Sequence, residues 1–255
     1  MKITILGSGN VATHLGKALL EAGHRIVEIY SRNLANAQAL ASQVGATATD
    51  LVTRLRDDAD IYLLAVSDQA IETLASQLPV SIRGMVVHCS GATTMDVLAS
   101  FQRYGVIYPP QSLRKEHDTQ MASIAFGIEG NTTETEDALL ELVQEFAPKS
   151  FRCNSQQRLA LHIGAVFANN FTNSLFQISF ELLQAHRLPF HLLHPIMQET
   201  VEKAIQHEPR SVQTGPAQRD DQTTIDKHLN FISEKPNWVK IYQRLTEEIA
   251  IKKKN

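Results

Sequence analysis

Cysteine is scarce, with Cys89 and Cys153 the only two in 255 residues, too few for a disulfide framework and without metal-ligand spacing around them. No apolar run approaches the roughly 18 residues a membrane-crossing helix needs. The strand-like run at residues 3–6 lies too close to Met1 to leave room for a signal peptide. An excess of one charge is also missing: 24 Lys and Arg against 27 Asp and Glu leave a formal charge of −3. No like-charged block occurs beyond residues 252–254, which read as a solvated tail, so nucleic acid is not an expected partner. Internal repeats and low-complexity linkers are absent. The chain is 43% hydrophobic and 20% charged, enough apolar material for one large or two modest cores. The expectation is a cytoplasmic protein with neither a metal site nor a membrane partner.

Along residues 1–153 the apolar period alternates between short β-branched runs and stretches with apolar residues three and four apart, the rhythm of βαβ units around a parallel sheet. Strands are expected at 2–6, 25–30, 61–66, 85–88, 106–108, 124–128 and 150–152, with a short one near Thr47. Helices are expected at 11–22, 34–44, 69–77, 95–103 and 134–146. Beyond Cys153 the β texture stops. Residues 156–184 contain neither Pro nor any Gly except Gly164, which predicts one helix about 43 Å long. It is apolar nearly all round, so other helices or a second subunit should cover it. Shorter helices at 190–206, 223–231 and 238–250, separated by a polar loop at 208–221, complete an all-α second domain, 154–255. A homodimer through that domain is expected.

The strongest motif is Gly7-Ser8-Gly9-Asn10-Val11-Ala12, of the form G-x-G-x-x-[GA], placed between a predicted strand and a predicted helix. Gly7 permits the tight turn, Gly9 clears the approach of a pyrophosphate, and Ala12 lets the helix pack on the sheet. The helix N-terminal amides then face an anion. A dinucleotide site that prefers NAD carries an acid at the end of the second strand. Here that position reads Tyr30-Ser31-Arg32-Asn33, where a hydroxyl and a guanidinium suit the 2′-phosphate of NADP. The alternative is a solvated turn. Val66, Ser67 and Asp68 stand at the end of the strand at 61–66 as candidate ligand groups, with helix capping the alternative for Ser67 and Asp68. Ser90 and Gly91 end the following one and are small enough to admit a nicotinamide ring.

Together GSGNVATHL, YSRN, LLAVSD, HCSGAT, YPPQSL and TGPAQRDD resemble the Rossmann-like family of predicted NADP oxidoreductases with a helical C-terminal domain of unknown function 2520. The resemblance spans essentially the whole chain. That family is similar to a wider group containing 6-phosphogluconate and 3-hydroxyisobutyrate dehydrogenases, ketopantoate reductase, pyrroline-5-carboxylate reductase and deazaflavin-dependent NADP reductase. It implies a Rossmann domain, a helical dimerising domain and hydride transfer in the cleft between them. In the hydroxyacid dehydrogenases a lysine on the first long helix takes part in proton transfer; here Val166 stands at its position, which puts that mechanism in doubt.

In place of that lysine, His162, Val166, Asn169 and Asn173 share one face of a regular helix, with Asn170 beside them. His162 is a candidate general acid and Asn169 and Asn170 candidate anchors for an acceptor group; their alternative is structural. Gln111 and Ser112, behind the rigid Pro109-Pro110, are candidate pocket-wall groups, or part of a stiff connection. Arg219 is a candidate carboxylate ligand, or a surface partner of Asp220 or Asp221. His191 and His194 lack a supporting carboxylate motif and read as helix residues. The expected protein is an NADPH-linked reductase of a small carbonyl or imine, with a 2-oxo acid of the ketopantoate kind as an example. A deazaflavin as hydride partner and a non-catalytic NADP-binding sensor or scaffold are the alternatives.

Overall fold

The computed structural model describes residues 1–79 and 81–254, the last three by backbone alone. It forms two compact units, Met1–Asn170 and Phe171–Asn255. In the first, eight strands make one sheet: β1 (Lys2–Leu6), β2 (Arg25–Tyr30), β3 (Thr47–Thr49), β4 (Ile61–Leu64), β5 (Met85–His88), β6 (Tyr104–Tyr108), β7 (Gly127–Gly130) and β8 (Phe151–Arg152). Their order is β3-β2-β1-β4-β5-β6-β7-β8. All neighbours are parallel except β6 and β7. The order reverses between β1 and β4, so the carboxyl ends of those strands bound a crevice.

Period-two alternation divides the core between the two faces. Ile3, Ile5, Ile61 and Leu63 pack with Leu15 and Leu19 of α1 (Asn10–Glu21), Leu40 of α2 (Leu34–Val44), and Leu139 and Val143 of α4 (Thr133–Gln144). Leu6, Tyr62 and Leu64 pack oppositely with Ile71 and Leu74 of α3 (Asp68–Gln77). Two chain reversals carry their expected signals: Asn33 caps α2 by accepting from the Ala35 and Asn36 amides, and Gly45 ends it in the left-handed region at φ 68°.

The expected helix at 95–103 is only the 3₁₀ turn Met95–Leu98. β6 begins at Tyr104, two residues before its expected start, which leaves no residue for the turn between it and a helix running to 103. The expected strand at 124–128 begins instead at Gly127. The long helix expected at 156–184 is also interrupted. After α5 (Ser155–Ala165), residues Val166–Phe171 form a π-helix, and α6 (Thr172–Ala185) follows. Its i→i+5 pairing breaks the 3.6-residue register, so the single-face reading of His162, Val166, Asn169 and Asn173 does not hold.

The change of texture at Cys153 coincides with the end of β8, yet α5 remains part of the first unit because a buried ion pair joins it to the sheet. Arg158 of α5 is 1% exposed and Glu129 of β7 6%; the guanidinium donates to the carboxylate and, at 2.7 Å, to the Thr93 carbonyl. Glu129 also accepts from the Ser155 amide at 2.8 Å, on the first turn of α5, where a negative charge is stabilised by the positive end of the helix dipole. Asn154 and Gln157 complete a capping box.

The second unit continues from α6 through α7 (His194–Gln206), α8 (Gln222–Phe231) and α9 (Pro236–Lys254). A Phe180–Phe190 edge contact at 5.5 Å and a 2.8 Å bond between His228 Nδ1 and the Tyr242 hydroxyl link its parts. No helix among the described residues is long and apolar enough to cross a membrane.

Replacing Arg158 by Met should leave the Glu129 carboxylate buried without its cation and cost about 3–5 kcal/mol. Urea unfolding at pH 7 followed by circular dichroism measures the loss, and the doubly substituted Arg158→Met/Glu129→Gln chain should recover part of it.

Candidate active site

A cavity of about 840 Å³ opens at the carboxyl ends of β1, β2 and β4 and is lined by Gly7, Ser8, Gly9, Asn10, Val11, Ser31, Arg32, Val66, Ser67, Asp68 and Cys89, among others. Nine of the eleven residues expected to bind cofactor are therefore together. Gly7 lies at φ +129°, and a Cβ there would stand 2.1 Å from the Ala65 carbonyl oxygen, so β1 and β4 can close this end only over a glycine. At Gly9 a Cβ would meet nothing within 4 Å: its missing side chain leaves open space where a phosphate can approach the backbone. Gly9 caps α1 without a side-chain bond, and the first turn of that helix holds no acid.

The charge pattern at the tip of β2 fits a phosphorylated ribose. Ser31 Oγ accepts from Ser8 Oγ at 3.0 Å, and Arg32 is exposed beside it. Glu28, the nearby carboxylate on β2, is buried and accepts from the Arg56 amide at 2.8 Å, away from the tip. Ser67 precedes α3 but makes no capping bond with its side chain, so the cap alternative is not realised through its hydroxyl. Burial pushes the Cys89 thiol up to about 12, which leaves a neutral wall group and no thiolate nucleophile.

Ser90 and Gly91 do not line this cavity. The Ser90 hydroxyl accepts from the Ala92 and Thr93 amides at 3.1 and 2.9 Å and holds its own turn. Gly91 is the seat of His162: a Cβ at position 91 would come within 2.7 Å of the imidazole Cγ and Nδ1. His162 Nδ1 lies 3.0 Å from the hydroxyl of Tyr108, at the end of β6. Burial, followed by the charge of Asp68, raises the Tyr108 phenol above its ordinary value, so it keeps its proton at neutral pH. Tyr108 was not singled out as a site residue from sequence; its place at a strand's carboxyl end, before two prolines, was the available signal.

The remaining candidates are more dispersed. Asn169 and Asn170 are exposed in the π segment, and Gln111 and Ser112 are exposed beyond Pro110. Asn173 and Arg219 are exposed in the second unit. Asp221 caps α8 through Thr224, and its carboxyl is held below its ordinary value first by the Thr224 hydroxyl bond and then by the amide, with Arg219 a smaller contributor. Val166, at the position of the family lysine, opens the π segment and has no proton to transfer. Among the described residues no group of three or more His, Cys, Asp or Glu could hold a metal ion.

An open parallel sheet with this glycine loop at its switch point defines a dinucleotide-binding protein. A family model described as NADP oxidoreductase, coenzyme F420-dependent, matches residues 2–90, and one for a domain of unknown function, DUF2520, matches 124–249. BF3122 from Bacteroides fragilis, assigned as an NADP oxidoreductase, is 33% identical over 98% of this chain and 97% of its own, with a TM-score of 0.87. The 1-pyrroline-5-carboxylate reductase of Streptococcus pyogenes has 16% identity over 98% of both chains and a TM-score of 0.63. An imine reductase from Myxococcus stipitatus in complex with NADP+ has 15% identity, a TM-score of 0.68, and coverage of 98% of this chain and 92% of its own. Among the curated proteins nothing matches. The chain belongs to the NADP oxidoreductase family with a DUF2520 C-terminal domain, and its cofactor is NADP.

His88, at the end of β5, gives the fold a pH dependence. It is fully buried, and desolvation, then the charge of Arg158, lowers its pKa to about 4. The unfolded chain takes up this proton near pH 6.5 whereas the folded chain refuses it until about pH 4. This contribution to stability should be complete above pH 6.5 and fall by up to about 3 kcal/mol as pH drops through that window. Denaturant midpoints between pH 7.5 and 4 measure it, and a slope unchanged in His88→Gln would contradict the assignment.

Proposed function

We propose that the protein reduces a small C=N or C=O compound with NADPH, and that His162, oriented by Tyr108, supplies the proton. The observation that carries this reading is the 3.0 Å contact between His162 Nδ1 and the Tyr108 hydroxyl over the side-chain-free Gly91, two residues from the cavity wall at Cys89. NADPH supplies a hydride to the acceptor carbon. The balance then requires one proton at the acceptor nitrogen or oxygen. As an imidazolium, His162 gives it from Nε2, and the Nδ1–H of the neutral ring donates to the Tyr108 oxygen. Asn169 and Asn170 supply carboxamides to orient the acceptor, and Gln111 and Ser112 supply polar contacts.

An imine is favoured over a 2-oxo acid of the ketopantoate kind because imine and pyrroline-5-carboxylate reductases are among the structures of similar fold. Ser31 and Arg32 take the 2′-phosphate in this reading, and the glycine-loop amides take the pyrophosphate. In His162→Ala, NADPH affinity should stay within about twofold while turnover with a cyclic imine falls roughly 10²- to 10⁴-fold. Unchanged turnover would remove His162 from the chemistry.

The working form is proposed to be a homodimer through the helical unit. Within the described residues of Phe171–Asn255, Ala217 and Ile225 are the only buried apolar side chains, whereas Leu188, Leu192, Ile196, Ile205 and Phe231 are more than half exposed. An apolar opening of about 380 Å³ between α6, α8 and α9 is walled by Leu182, Phe231 and Trp238, among others. Covering this much apolar surface is the ordinary driving force of a permanent interface. Light scattering at low micromolar protein should give twice the chain mass; a monomer would end this proposal.

A further inference from the structure

The connection from β6 to β7 lies against the glycine loop. Its first residues are stiffened by Pro109 and Pro110, and three consecutive positions then attach it. Leu113, 6% exposed, is buried in the core cluster that contains Leu15 and Leu19 of α1. The Arg114 carbonyl oxygen lies 2.9 Å from His14 Nε2 on that helix. The Lys115 amide donates to Asn10 Oδ1 at 3.3 Å, and its ammonium donates to the carbonyl oxygen of Ser8. The segment is therefore strapped to the N-terminal end of α1, with its one ammonium on the loop between Gly7 and Gly9.

An exposed lysine gains little from one backbone carbonyl and gives up side-chain freedom to stay there. The carbonyl uses one of three ammonium protons. Ser8 and Asn10, the two residues Lys115 touches, both line the cofactor cavity. The dinucleotide brings two separate phosphate groups, the 2′-phosphate and the pyrophosphate. Among the described lining residues Arg32 alone carries a permanent positive charge, and it stands at the tip of β2, the 2′-phosphate end. The other anion has only neutral amides and the dipole of α1. We propose that Lys115 is a cofactor-binding residue that supplies the cation for the pyrophosphate, with residues 109–115 acting as a strap that holds it over the glycine loop. This rests on the NADP assignment and adds to it a position outside the glycine motif.

Calorimetric titration of the full-length protein with NADP+, NAD+ and 2′-AMP tests the assignment, because the first two carry a pyrophosphate and the third does not. Lys115→Ala should weaken NADP+ and NAD+ alike, by about ten- to a hundredfold as expected of a charge-assisted hydrogen bond. Binding of 2′-AMP should stay within about twofold, which also shows that the variant is folded, and Lys115→Arg should restore most of the lost affinity. Arg32→Ala should give the opposite pattern, losing NADP+ and 2′-AMP while keeping NAD+. Unchanged dinucleotide affinity in Lys115→Ala, or a loss shared by 2′-AMP, would overturn the pyrophosphate assignment. A wild-type protein that binds neither dinucleotide would overturn the cofactor assignment itself, and this one with it.

Discussion

The carboxylate of Glu129 and the guanidinium of Arg158 meet where almost no water reaches them, and three parts of the molecule converge on that contact. Glu129 belongs to β7, Arg158 to α5, and the Thr93 carbonyl that Arg158 also holds belongs to the turn after β5. Charges this deep need partners beyond each other, although the buried Nε of Arg158 has none among the described residues. Ser155 is such a partner for the carboxylate through its amide and its hydroxyl. One turn of α5 beyond Arg158, His162 rests on Gly91. The ion pair thus sets the distance between the helix that carries the imidazole and the turn that receives it, before any ligand is considered.

Much of this was legible from local pattern. The glycine loop announced itself because three chemical requirements, a positive φ, an open approach and a close helix, fall on residues adjacent in sequence. The first five strands followed from β-branched runs punctuated by turn residues. What stayed hidden depended on partners far along the chain: Tyr108 and His162 are 54 residues apart, Lys115 and Asn10 are 105 apart, and Arg158 and Glu129 are 29 apart. No periodicity reports such meetings. The order of the last strands was hidden as well, because β7 reverses direction and ends the βαβ rhythm that ordered the others.

The interrupted helix shows a different limit. Counting by 3.6 placed His162, Asn169 and Asn173 on one face, and the count is sound for a uniform helix. The six π-helical residues between α5 and α6 change the hydrogen-bonding step, and nothing in Val166-Phe-Ala-Asn-Asn-Phe171 signals that change to a propensity argument. The identity of the residues survived the correction while their relation to one another did not. Ser67 and Ser90 teach the complementary lesson: both stand at strand ends, yet one lines the cavity and the other spends its hydroxyl on its own turn.

The contact between Gly91 and His162 has an evolutionary consequence. With His162 Cγ, Nδ1 and Cβ 2.7 to 2.8 Å from where a Cβ would sit, position 91 is held to glycine by the side chain above it. A descendant that gains a side chain at 91 must move the whole of residue 162 aside, because even an alanine there keeps the Cβ that stands 2.8 Å away. The glycine should therefore outlast the imidazole: a relative that has lost this ring should keep glycine at 91 for as long as α5 keeps its place.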